Sequence, residues 1–159
     1  MIQLQRVSNL DVSSIRPLVA ESLEEGVTFI ERLEREYLSG VNRFDGPGEV
    51  LFVATEGDTP VAVCGLNRDP YLGDPAIGRV RHLYVLKAYR HLGLGRSLVR
   101  AVMAAAEGRF HMLTLRTENP VAARLYVSLG SWRSRRWPTP PTGAASRRQR
   151  PPMRSGDRF

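Results

Sequence analysis

The sequence predicts an α+β domain, and three observations carry that reading. An alternating, strand-length segment at the start is followed by two amphipathic helical stretches. Two apolar runs joined by a Gly-Asp turn read as an antiparallel hairpin. A third apolar run passes through a glycine-containing loop straight into a long helix. With 159 residues, 42% of them hydrophobic and 25% charged, the chain has the size and composition of one globular domain with a real core.

In order, Ile2-Gln3-Leu4-Gln5-Arg6-Val7 alternates apolar and polar residues as a half-buried strand does. Asn9 or Asp11 can cap the helix that follows, whose apolar stripe is Ile15, Leu18, Val19 and Leu23 and whose end is Gly26. A second helix from about Thr28 carries Phe29, Ile30, Leu33, Tyr37 and Leu38 and stops at Gly40. Val50 to Thr55 reads as a buried strand, Glu56-Gly57-Asp58-Thr59 as its turn, and Pro60 to Leu66 as the antiparallel return, with Cys64 in the core. A loop from Asn67 to Gly78 leads to a fourth strand, Arg79 to Leu86. From Leu94, apolar residues recur at Leu98, Val99, Val102, Met103 and Ala106, a helical spacing that Gly108 closes. His111 to Thr117 is the fifth strand, and Pro120 opens a last helix that presents Val121, Ala122, Leu125, Tyr126 and Leu129 before Gly130.

Between the fourth strand and its helix lies Arg90-x-x-Gly93-x-Gly95. A loop feeding a helix leaves the first backbone N–H groups without intrahelical acceptors, and the helix dipole adds positive charge there. Gly93 and Gly95 let a phosphate approach those groups, and Arg90 and Arg96 can add charge-assisted hydrogen bonds. On physical grounds this is a diphosphate-binding turn. A Walker loop is excluded, because the only lysine, Lys87, precedes the glycines. A dinucleotide fingerprint is disfavoured, because Leu98 occupies the position of its third small residue.

The same residues, Arg90, Gly93 and Gly95 after Leu83-Tyr84-Val85, resemble the acetyl-CoA signature of the GNAT superfamily, the GCN5-related N-acetyltransferases. A second run, Asn119-Pro120-x-Ala122-x-x-x-Tyr126-x-x-x-Gly130, resembles a further motif of that family. The resemblance covers about residues 1–130. It implies a GNAT-like mixed, mostly antiparallel sheet flanked by helices, and acetyl transfer from acetyl-CoA directly to a primary amine, with a small molecule as the favoured acceptor. It assigns coenzyme contacts to Leu83, Tyr84, Val85, Arg90, His91, Leu92, Gly93, Leu94, Gly95, Arg96 and Asn119, and makes Tyr126 the catalytic general acid. On that assignment Tyr126→Phe lowers turnover and leaves binding intact. The family's usual Glu, four residues before Leu83, is replaced by Arg79, which cannot serve as a base near neutral pH. Glu118, Asp69 or a water chain remain candidates for the base. His82 reads as a sheet-face histidine, and Glu21, Glu24, Glu25 and Tyr37 as substrate-contact candidates for which a solvated helix face is the preferred reading. No metal site is expected.

The net charge of +7 is local. From Ser131 onward there are eight arginines and one acid, while the preceding 130 residues balance at 15 basic and 15 acidic. The stretch 131–159 has no Val, Ile, Leu or Tyr, a composition that cannot bury enough apolar surface to order itself. Residues 1–130 therefore read as the domain, and 131–159 as an Arg/Pro-rich tail standing where the family's last strands belong. The favoured explanation is a frame-shifted or otherwise non-homologous replacement; its rival is a basic tail that binds nucleic acid or an acidic partner. The altered end keeps a second function open, that of a non-catalytic acyl-CoA-binding module or damaged pseudoenzyme. A homodimer is compatible with the pattern. A single cysteine, and no stretch able to span a membrane or act as a signal peptide, make the cytoplasm the expected compartment.

Overall fold

The computed structural model describes residues 1–115 and Arg124. Five strands form one sheet in the order of the chain: β1 Ile2–Val7, β2 Val50–Glu56, β3 Thr59–Arg68, β4 Ile77–Val85 and β5 Met112–Leu115. The first three pairings are antiparallel and the last is parallel, so the sheet is mixed and mostly antiparallel, as expected. Parallel neighbours need a crossover. Here it is α3, Leu94–Ala106.

Two helices precede the hairpin: α1, Arg16–Glu24, and α2, Phe29–Ser39. Asp11, one of the two expected caps, accepts the Ser13 N–H and starts a single 3-10 turn, Val12–Ile15, that leads into α1. Gly26 and Gly40 end the two helices with φ of +74° and +79°, the left-handed conformation that glycine adopts without a Cβ clash.

Each sheet face carries its own core. Ile15, Leu18, Ile30 and Leu33 pack from α1, α2 and their approach onto Leu51, Val53, Val63 and Tyr84. On the other face Leu98, Val102 and Ala106 of α3 pack onto Ala54, Val61, Ala62, Cys64 and Val80. Every apolar α3 position expected from the spacing is buried. Burial pushes the Cys64 thiol up to about 12, so it is an inert core group.

Some details differ from the expectation. Leu23 and Leu38 are exposed, while Ser22 is fully buried and donates to the Val19 carbonyl at 2.8 Å. The α1 stripe is thus narrower than its periodicity implied, and a small hydroxyl satisfied by its own helix sits against the sheet. β1 is an edge strand with four exposed residues in its centre. The β3–β4 loop is shorter than expected, because β3 runs on to Arg68 and β4 begins at Ile77. Arg124 is helical, in agreement with the last expected helix. Asn119, Tyr126, Glu118 and the 131–159 tail lie outside the described residues. Among the described residues, no helix is long and apolar enough to cross a membrane.

Candidate active site

The site is built on an irregularity in β4. Pairing with β3 keeps one register from Arg68↔Gly78 to Gly65↔Arg81, then another at Val63↔Tyr84 and Ala62↔Val85. Two β4 residues, His82 and Leu83, therefore lie opposite Cys64, which is a β-bulge. His82 takes a φ of +58°, a left-handed conformation in which His is among the better tolerated side chains. Beyond the bulge Leu83 and Val85 lean on the α3-side core, and Tyr84 lies in the α1–α2 core. On the other edge, pairing with β5 runs only from Ile77↔Met112 to Val80↔Leu115. From Arg81 to Val85 no described residue pairs with that edge. Leu83-Tyr84-Val85 follows the bulge as the last stretch of β4 before the glycine loop.

β4 then delivers the chain to the glycine loop. A 3-10 turn at Lys87–Tyr89 is followed by positive φ at His91 (+66°) and Gly93 (+80°), which redirects the chain from the strand to the axis of α3. Gly93 is the N-cap residue and supplies no capping side chain. A Cβ added to it would meet no described residue within 4 Å. His91, Leu92 and Gly93 are exposed, Leu94 and Gly95 half-buried, and Arg96 exposed in the first turn. An open helix N-terminus with no capping side chain suits a phosphate group.

Arg90 does not project freely into this opening. Its Nε donates to the Val85 carbonyl at 2.9 Å, and its two terminal nitrogens donate to the Glu25 carboxylate at 2.9 and 2.6 Å. The guanidinium also lies over the Tyr84 ring, 5.5 Å from its centroid. The Tyr84 hydroxyl is 2.6 Å from Glu25 Oε2 and 3.0 Å from Glu21 Oε1, and the Lys87 N–H donates to Glu21 Oε1 at 2.8 Å. The Arg90 guanidinium, helped by the Tyr84 hydroxyl, holds the Glu25 carboxyl down at about 2. Burial and the two carboxylates push the Tyr84 phenol up, so it stays protonated. This network fastens the end of α1 to the end of β4 and to the glycine loop. Glu21 and Glu25, read as solvated or substrate-facing, are instead the anchors of that loop. Tyr37 is also internal: it is buried, and its hydroxyl accepts the Leu10 N–H at 2.7 Å. Glu24 is exposed, as preferred.

At the other end of β4, Asp69 is buried beside Arg79 and Thr114. Its Oδ1 accepts the Tyr71 and Leu72 N–H groups at 2.8 and 3.1 Å, and its Oδ2 accepts the Thr114 hydroxyl. Burial alone would raise this carboxyl, but the Thr114 hydroxyl, the two N–H groups and the Arg79 charge outweigh it and keep it below the ordinary range. A carboxylate so saturated is a poor proton acceptor near neutrality. His82 is buried between the Phe29 and Phe44 rings. Its Nδ1 lies 2.8 Å from the Phe29 carbonyl, which can only accept, so Nδ1 carries the proton. Nε2 is buried without a partner among the described residues. Burial, with Arg81 and Arg32 nearby, pulls this imidazole down to about 3, so it is neutral. It is the sheet-face histidine expected. Among the described residues no cluster of His, Cys, Asp or Glu can hold a metal ion.

The fold has counterparts among known proteins. The model of the acetyltransferase (GNAT) family matches residues 15–130, the boundary falling where the sequence pattern breaks. A crystal structure of a protein from Exiguobacterium sp. 255-15, assigned as an acetyltransferase, superposes with a TM-score of 0.72 at 30% identity, covering 82% of this chain and 84% of that one. A predicted acetyltransferase from Clostridium acetobutylicum, crystallised with acetyl-CoA, has a TM-score of 0.61 at 16% identity over 82% and 89% of the two chains. Glucosamine-6-phosphate N-acetyltransferase from Arabidopsis thaliana has a TM-score of 0.58 at 15% identity over 82% and 90%. These last two share the fold. With the bulged β4 and the glycine loop in place, and with the family match spanning most of its length, this chain belongs to the GNAT family of acetyltransferases.

Proposed function

We propose that this chain is an acetyl-CoA-dependent N-acetyltransferase that transfers the acetyl group directly to a primary amine of a small molecule. The observation that carries the reading is the bulge that sets off Leu83-Tyr84-Val85 in β4, a few residues before an α3 N-terminus that has no capping side chain. Acetyl-CoA fits both parts, because it pairs a diphosphate with an extended, amide-bearing arm; when bound it supplies an activated acyl group with a thiolate leaving group. The backbone from His91 to Arg96 would hold the diphosphate, and the β4 edge would hold the arm. Arg90 acts mainly by shaping the loop, since its side chain is shared with Glu25 and Val85. Backbone N–H groups of the β4 edge would receive charge developing on the acyl oxygen. Asn119 and Tyr126 keep their assigned roles as arm contact and general acid. Asp69 is set aside as the base, because its oxygens are already hydrogen-bonded, and so is His82, whose free nitrogen is sealed from solvent. The acceptor amine would then shed its proton to water or to Glu118.

Thermal unfolding with and without acetyl-CoA tests this reading. Ligand at about 100 times its dissociation constant stabilises the native state by roughly 2.7 kcal/mol, which raises Tm by several degrees in a domain of this size. A cooperative transition that acetyl-CoA does not move would reject it.

A further inference from the structure

Among the described residues, Arg79 differs from the other β4 arginine and from Arg90 of the loop in making no side-chain hydrogen bond. Arg81 reaches Glu36 at 3.5 Å, and Arg90 is bidentate on Glu25. The nearest carboxylate oxygen to Arg79, Asp69 Oδ2, is 3.6 Å away, beyond hydrogen-bond range. That carboxylate is already engaged by Tyr71, Leu72 and Thr114. The Arg79 side chain is nonetheless only 17% exposed, and its guanidinium lies 4.9 Å from the centroid of the Tyr71 ring. The ion pair and the ring hold the guanidinium in place without consuming its donors. Guanidinium donors withdrawn from water ordinarily have acceptors.

The direction of the side chain fits a substrate-facing role. A Cβ on Gly78 would meet Leu113 and Phe110, and Val80 packs in the α3-side core, so those neighbours face α3. Arg79, between them, faces the α1–α2 side. It pairs across the sheet with Asn67, which bonds Asn42, and with Thr114.

We infer that Arg79 is a specificity-determining residue that binds an anionic group of the acceptor, a carboxylate or phosphate monoester, so that the substrate is an amine bearing a negative charge. The planar fork of donors matches both groups. Four strand positions separate Arg79 from Leu83, about 13 Å at 3.3 Å per residue. The guanidinium lies beside Asp69 and Tyr71, toward the start of β4, so the anion lies several bonds from the reacting amine. The inference rests on the N-acetyltransferase reading and names the substrate class for it.

The test uses matched amines: 6-aminohexanoate against hexylamine, and 3-aminopropyl phosphate against 3-aminopropanol, with thiol release as the assay. The anionic member of at least one pair should have a kcat/KM at least tenfold higher, and the pair that responds tells carboxylate from phosphate. Arg79→Gln should erase the preference through KM while the KM for acetyl-CoA is kept, and Arg79→Lys, which keeps charge without the fork, should restore part of it. No preference in the wild type, or one that survives in Arg79→Gln, overturns the inference. Thermal shifts by the same four amines provide a readout independent of turnover. A shift confined to anionic amines and lost in Arg79→Gln supports the site, and no difference between the members of each pair overturns it. A chain that fails to bind acetyl-CoA yet shows that selective shift refutes the parent reading alone.

Discussion

Acid should destabilise this protein through His82 well before its carboxylates titrate. The imidazole is held neutral in the fold at about 3, against an ordinary value of 6.5. Because the folded value is depressed, protons bind the unfolded chain first. The contribution of His82 is fully present above 6.5 and is lost as pH falls toward 3. Each pH unit in that window costs about 1.4 kcal/mol, so moving from pH 8 to pH 5 removes about 2 kcal/mol. The structural causes are burial between Phe29 and Phe44, a hydrogen bond that uses only Nδ1, and the like charges of Arg81 and Arg32. Asn at this position tolerates positive φ, can donate to the Phe29 carbonyl and does not titrate. Urea denaturation of wild type and His82→Asn at pH 8 and pH 5 reads the difference directly. The wild type should lose about 2 kcal/mol more than the variant. Equal losses in the two proteins would show that His82 is protonated in the fold, and the argument from its burial would fail.

Two further outcomes concern the scaffold of the site. Glu25→Gln keeps the shape of the anchor but removes the charge that Arg90 pairs with; wild-type stability should fall as pH drops from 4.5 toward 2, and the variant should lack that component in urea midpoints at pH 6 and pH 3. Gly65→Ala places a methyl 2.4 Å from a Phe44 ring carbon, and should cost about 1–3 kcal/mol in the same assay, because Phe44 is buried and held at positive φ.

The strand and helix order was legible because the relevant signals are local. The 3.6-residue spacing of Leu98, Val99, Val102, Met103 and Ala106 reports one buried face whatever it packs against. Gly26, Gly40 and Gly93 mark helix boundaries for reasons of backbone sterics that need no partner. The geometry of the glycine loop was legible for the same reason: a strand, two glycines and a helix in succession fix the turn within a dozen residues. The Leu23 and Leu38 misassignments show where periodicity stops, since width of an apolar stripe depends on how closely the sheet approaches.

What the residues alone determined is the order of elements, the position of the glycine loop and, through residue-type motifs, the family. Tertiary structure decided what each charged side chain does. Arg90 lies 65 residues from Glu25, and no sequence spacing announces that the two share a bidentate ion pair. Nor does the sequence show that Asp69 is saturated by Thr114 and loop N–H groups while Arg79 makes no side-chain hydrogen bond among the described residues. The bulge at His82 is likewise invisible locally, because it exists only as a mismatch of register between β3 and β4. Helix and turn signals come from backbone interactions within a few residues, whereas the protonation and reach of a side chain depend on groups that only the folded chain brings within a few ångströms.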